Sequence, residues 1–266
     1  MFETLQVEAE GAVGRLWLNR PDKLNALSIL TLEEIALAAR WFSEETDVRA
    51  VIVGGRGRAF SAGADLDSFP TPGRADVRHA ADAGRRMADA LEAMTAIAVA
   101  RIHGWCVGGA VLVAAACDLR VASASARFSI PEVDLGIPLS WGGIPRLVRE
   151  IGPAMTKELV ITCREFDVGE ARAMGFLNRV VEEDALESEA LALAEMVAAK
   201  PRMPAAVTKS QVNAITAQMV GTARSAADAD SLIAGLLDPE CESARQQYVA
   251  AKIGSAHTGA GEHGES

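Results

Sequence analysis

Two glycine-containing segments carry the residue types from which an anion-stabilising site can be built. Residues 57–66 read GRAFSAGADL and follow a short β-branched run, RAVIVG at 49–54. They therefore fall at the carboxyl end of a buried strand, where α/β proteins form ligand sites. Ala62, Gly63 and Ala64 are small enough for a ligand to approach the main chain. Residues 103–118 read HGWCVGGAVLVAAACD, and the pair Gly108-Gly109 opens an apolar helical stretch. The first amides of a helix lack internal acceptors and carry the positive end of its dipole. Two such amides aimed at one carbonyl oxygen make an oxyanion hole. On the glycines alone, two ordinary turns are the more frequent explanation.

Other chemistries lack their residues. Ser61 sits in AFSAG rather than in a G-x-S-x-G elbow. No GxGxxG or phosphate-binding loop occurs, so hydride transfer and ATP use find no support. The four cysteines, Cys106, Cys117, Cys163 and Cys241, form no CxxC pair and read as thiols in a reducing compartment. His257 and His263 lie near the C-terminus, and His79 and His103 stand apart, so no metal site is expected. Twenty-six Lys and Arg face 36 Asp and Glu, a net charge of −10, which disfavours nucleic acid and an anionic membrane surface. The longest apolar run, 106–117, is too short to span a bilayer, and the polar start of the chain is unlike a signal peptide. A cytoplasmic protein is expected.

The elements that must position these segments follow from periodicity. Leu5, Val7, Val13, Leu16 and Leu18, with Gly11 and Gly14 between or among them, predict a β-hairpin. Ser28 caps a predicted helix over 29–45 with Leu32, Ile35, Ala39 and Phe42 along one side. Strands are predicted at 49–54, 97–102, 119–122 and 127–130, and a helix at 75–94. Alternating strands and helices with buried strands predict an α/β fold with a largely parallel sheet. Helical spacing recurs over 185–199, 205–219, 223–237 and 241–252, with Pro201, Pro204 and Pro239 as breaks. The expected division is a core over 1–200, a helical section over 201–252 and a disordered tail over 253–266.

Five segments occur in one order: RPDKLNA (20–26), AFSAGADL (59–66), GWCVGGAVLVAAACDLRVAS (104–123), FSIPEVDLGIPLSWGG (128–143) and ELVITCREFDVGEARAMGFLNRVV (158–181). This series resembles the crotonase superfamily, the enoyl-CoA hydratase/isomerase family, over nearly the whole chain. The resemblance implies a spiral core of ββα turns and a helical C-terminal section that assembles a homotrimer or a dimer of trimers. It implies an acyl-CoA thioester substrate and no separate cofactor, CoA arriving with the acyl group. The thioester carbonyl is expected between the amides of Ala64 and Gly109. Lys23, Leu24 and Arg58 are expected along the CoA path. Ala62, Asp65 and Leu66 complete the substrate contacts of the second motif. The place past the AGAD aspartate that is often basic in the family holds Asp67. Tyr248 falls where the family often sets an aromatic against the adenine of a neighbouring subunit.

The resemblance also implies the acid–base group. Hydratases of the family carry one glutamate three residues past the oxyanion glycine and a second twenty residues further on. Here those positions are Leu112 and Glu132. A single carboxylate suits proton transfer between two substrate carbons better than concerted addition of water, which needs two acid–base tasks. The family's Δ3-Δ2-enoyl-CoA isomerases resemble this pattern, so isomerisation through Glu132 is expected. A hydratase pairing Glu132 with Asp134 and a non-catalytic acyl-CoA binder are the alternatives. Trp141 stands where small residues are common, and either narrows the acyl pocket or packs between subunits. His103 reads as a hydrogen-bonded structural residue.

Overall fold

Strand β1 (Leu5–Glu10) turns at Gly11, with φ +59°, into β2 (Val13–Leu18), which pairs with it antiparallel. This is a computed structural model, and it describes residues 2–44, 47–68 and 76–258. Helix α1 (Ile29–Glu44) starts as its cap predicts, the Thr31 amide donating to Ser28 Oγ over 3.2 Å. Then follow β3 (Ala50–Gly55), α2 (Asp76–Ala93), β4 (Ile97–Ile102), β5 (Trp105–Val107), α3 (Gly109–Ala116), β6 (Leu119–Ser123) and β7 (Arg127–Ser129). The chain continues through α4 (Gly143–Thr162), β8 (Phe166–Asp167), α5 (Val168–Ala173), β9 (Arg179–Val181) and α6 (Leu186–Ala198). It ends in α7 (Arg202–Met219), α8 (Asp228–Leu237) and α9 (Pro239–Thr258).

The main sheet runs β1-β2-β3-β4-β6-β9 and is parallel from β2 onward. A second, small sheet, β5-β7-β8, stands beside it. Strand alternation splits the core into two layers. Val51 and Val53 face α1, α2 and α3, packing with Ile35, Phe42, Met87 and Val111. Ala50 and Ile52 face the other way and pack with Leu186, Leu193 and Ala194 of α6. The expected α/β class with a largely parallel sheet is thus present, and α6 covers the second face of the sheet. Every residue of α3 is buried, which is why GAVLVAAA is apolar all round rather than striped.

Three expectations change in detail. Pro204 lies inside α7 rather than breaking it, because first-turn amides have no intrahelical acceptor to lose. Helix α4 has no counterpart among the predicted elements; Gly152, at φ +76°, and Pro153 interrupt its pattern midway. Helix α9 runs to Thr258, past the expected boundary at 252, and residues 259–266 of the expected tail lie outside the described residues. Lys209 fastens α7 to the core through Asp118, at 2.8 Å, and the Ala96 carbonyl. Helices α8 and α9 fold back over the 131–137 turn, where Gly136 leaves no room for a side chain beneath the Cys241 backbone.

Candidate active site

The two glycine segments lie side by side. Ser61 forms an isolated parallel bridge with Cys106; the Ser61 amide donates to the Trp105 carbonyl and the Val107 amide to the Ser61 carbonyl, each over 3.1 Å. Gly63 has φ +86°, and a Cβ there would sit 2.5 Å from the Val107 carbonyl oxygen and 3.6 Å from the Gly109 nitrogen, so only glycine permits this approach. The neighbouring amides are all engaged. Ala62 donates to the Leu24 carbonyl, Gly63 to Ser61 Oγ, and Asp65 to the Leu27 carbonyl. Across from them, Gly108 donates to the Ser129 carbonyl. The amides of Ala64 and Gly109 donate to no carbonyl among the described residues. The sequence-predicted pair is therefore brought together with both hydrogens available.

The loop that presents Ala64 is pinned by residues whose roles the sequence left unassigned. Ser61 Oγ donates to the Asn25 carbonyl over 2.8 Å. The Asn25 amide group donates to the carbonyls of Arg56 and Ala59, and its oxygen accepts from the Arg20 amide. Leu24 and Asn25 both occupy left-handed backbone, at φ +50° and +56°.

Glu132 is 9% exposed, and its Oε1 lies 2.7 Å from where a Cβ on Gly108 would sit. Its Oε2 is buried without a hydrogen-bond partner. Burial pushes the carboxyl up to about 7, with the chain's own amide pulling weakly the other way. One turn along α3 from Gly108, buried Leu112 packs on Gly143, which Leu139 also meets. Trp141 has φ +60°, and its indole rests on Gly109 and on Gly84 of α2. Asp134 is exposed, two residues beyond Glu132.

Lys23 is exposed and ion-paired with Asp67 at 2.9 Å, so the residue in the often-basic position holds the lysine expected on the CoA path. Arg58 is exposed and makes no ion pair with another described residue. The buried carboxylate of Asp65 meets Arg20 at 2.8 Å and ties the first motif to the second. Leu66 lines a cavity of about 110 Å³ with Leu135, Ile137, Arg245 and Val249. His103 donates from Nε2 to the Gly57 carbonyl over 2.8 Å and accepts at Nδ1 from Arg101, the structural role expected of it.

Tyr248 packs within its own chain, against the cluster of Leu135, Ile137 and α8. Burial first, then the carboxylates of Glu132 and Asp134, push its phenol up. Arg146 belongs to no motif that marks it in the sequence. It is fully buried, paired with Asp89 at 2.7 Å and Glu92 at 3.0 Å, and donates to the Trp141 carbonyl.

Comparison with known proteins places the chain in a family and matches its fold to solved structures. The sequence profile described as "Enoyl-CoA hydratase/isomerase" matches residues 8–250. A "Probable enoyl-CoA hydratase" of Rhizobium meliloti (strain 1021) is 36% identical over 80% of this chain and 82% of its own length. A "Delta(3,5)-Delta(2,4)-dienoyl-CoA isomerase, peroxisomal" of Arabidopsis thaliana is 33% identical over 79% and 80%. The crystal structure of an enoyl-CoA hydratase/isomerase from Pseudoalteromonas atlantica T6c superposes with a TM-score of 0.84 at 25% identity, covering 94% of this chain and 98% of that one. Hydratase names prevail among the relatives. Among the described residues no helix is long and apolar enough to cross a membrane.

Proposed function

Since the chain belongs to the enoyl-CoA hydratase/isomerase family, we propose that it is an acyl-CoA enzyme that moves a double bond from C3 to C2 of a 3-enoyl-CoA. The thioester oxygen accepts from the amides of Ala64 and Gly109. Glu132 takes a proton from C2, and the electron pair flows toward the carbonyl oxygen to give a dienolate. The two amides hold that charge without rearranging, and removing one such donor typically costs roughly 3–4 kcal/mol of barrier. Glu132 then returns the same proton at C4, so the enzyme ends each cycle as it began. The observation that carries this reading is the lone carboxylate of Glu132, buried beside Gly108 with one oxygen unpartnered, while Leu112 sets an apolar side chain one turn along α3. A base held near neutrality suits repeated removal and return of a proton.

Hydration is the second reading, favoured by the hydratase names of the relatives. It needs a partner for Glu132 to handle water, and the nearest carboxylate in sequence, Asp134, is exposed. The deciding experiment follows the conjugated enoyl-thioester absorbance with 3-hexenoyl-CoA and, separately, with crotonyl-CoA. A rise with the first and no change with the second supports isomerisation. A fall with crotonyl-CoA supports hydration. Binding with neither signal supports a non-catalytic acyl-CoA binder or another thioester reaction.

The assembly belongs to the same reading. Helix α7 exposes Met203, Val207, Val212, Ile215 and Met219. At 3.6 residues per turn they spread over about half of the helix circumference, Met203 and Val207 on one side and Val212, Ile215 and Met219 on another, apolar surface that a homotrimer, or a dimer of trimers, would bury. Sedimentation equilibrium of the purified protein tests it, and a monomeric mass rules it out.

A further inference from the structure

Trp141 sits in a seat made of two glycines. A Cβ on Gly84 would collide with the pyrrole side of its indole, and a Cβ on Gly109 with the benzo edge. The ring therefore bridges α2 and the first residue of α3, directly beside one of the two amides that face the thioester. Its own backbone is held in the left-handed region, φ +60°, followed by Gly142 at +66°. Such a conformation in a bulky residue persists only where the surroundings over-determine it, and it concentrates at functional sites. The surroundings are explicit here. The Trp141 carbonyl accepts from Arg146 over 3.1 Å, and the Gly142 amide donates to Asp228 over 2.8 Å. Arg146 is in turn held by Asp89 and Glu92, both on α2. Helices α2, α4 and α8 thus fix one loop, and the ring is a wall rather than a side chain free to swing aside.

Resting on the acyl-CoA reading above, we propose that Trp141 sets the depth of the acyl pocket and confines the enzyme to short-chain acyl thioesters. With the thioester oxygen at Ala64 and Gly109, a chain continuing between α2 and α3 meets the benzo edge of the indole. The two glycines beneath the ring mean that its removal opens a passage along both main chains.

The test is calorimetric binding of saturated butanoyl-, hexanoyl- and decanoyl-CoA, which are not turned over, to wild type, Trp141→Ala and Trp141→Leu. Circular dichroism and thermal melting report whether each variant is folded. Wild type should bind butanoyl-CoA at least tenfold more tightly than decanoyl-CoA. Trp141→Ala should improve decanoyl-CoA binding about tenfold and leave butanoyl-CoA within about threefold. Trp141→Leu should move the ratio the same way by less, and it serves if the alanine variant does not fold. A folded variant with the wild-type ratio overturns the proposal, as does a wild type without length preference. Wild-type protein that binds none of the three overturns the acyl-CoA reading and this inference with it.

Discussion

The Oε1 atom of Glu132 lies 2.7 Å from the point a Cβ on Gly108 would occupy, and Gly108 itself has φ +53°. The residue that caps α3 is thus glycine for two independent reasons, its backbone region and the carboxylate packed on it. Gly108→Ala should cost about 1–3 kcal/mol from the backbone alone. It should also push the carboxylate off its position. The expected outcome is a folded but less stable protein, with kcat down at least about 100-fold and substrate affinity little changed. Urea titration and steady-state kinetics report the two effects separately. Wild-type kcat would refute the link between Gly108 and Glu132.

Glu132→Gln tests the base and its energetic cost together. Turnover should fall by about a thousandfold, within the usual range for loss of a general base. Stability should move the other way. The wild-type carboxyl titrates near 4.5 when unfolded and at about 7 when folded. Below pH 4.5 it is neutral in both states and costs nothing. As pH rises the unfolded state ionises first, stability is lost, and the loss is complete above about 7. A shift of that size corresponds to roughly 3 kcal/mol. The glutamine variant should therefore match wild type in urea melts at pH 4 and exceed it at pH 8. Equal stability at both values would mean that the carboxylate is better solvated than its burial indicates.

The same titration sets the pH dependence of the reaction. The base must be ionised, so kcat/KM should rise with pH and level off above about 7. An inflection near 4.5 would show that substrate meets an ordinary, solvated glutamate.

How much of this was legible depends on whether the signal was local. Strands β3 and β4 announce themselves as short β-branched runs, and Ser28 declares the start of α1. The small residues at 62–64 and 108–109 read as ordinary turns by themselves; Ala64 and Gly109 stand out only through the ordered series of five segments that resembles the family. Helix α4 was not legible, because the Gly152-Pro153 break divides it and the buried charge of Arg146 lies on what should be an apolar face. Lys23 looks like a free cation until Asp67, 44 residues away, is brought beside it. The seat of Trp141 depends on Gly84, and the position of Tyr248 on α9 folding back over Leu135 and Ile137. Those contacts join distant segments and leave no periodic trace.

Ser61 separates positioning from chemistry. Its hydroxyl donates to the Asn25 carbonyl and accepts from the Gly63 amide, the residue before Ala64. Ser61→Ala leaves both groups buried and unsatisfied, which typically costs about 1–3 kcal/mol. Because the loop carries Ala64, one of the two amides proposed to hold the thioester oxygen, kcat should drop about tenfold with the pH profile unchanged. Cysteine at this position, a weaker donor of similar shape, should recover part of the loss. A shifted pH profile would instead mean that Ser61 handles a proton.

Arg146 decides whether the loop of Trp141 and Gly142 is held by charge. The guanidinium is fully buried and meets Asp89, Glu92 and the carbonyls of Trp141 and Gly142. Removing one partner of a buried ion network strands the other charges, at about 3–5 kcal/mol. Arg146→Met fills a similar volume, and Asp89 and Glu92 are partly exposed and keep Arg85 and Arg149 as partners, so the lower end of that range is expected. Combining Arg146→Met with Asp89→Asn and Glu92→Gln removes the carboxylates but also takes Asp89 from Arg85 and Glu92 from Arg149, so only part of the stability should return. It should not restore the wild-type Trp141 environment, because the two carbonyls still lack their donor. Tryptophan fluorescence, compared before and after Trp141→Phe in each background, reads that environment directly. Full recovery of both stability and the Trp141 signal in the triple variant would show that packing alone sets the loop.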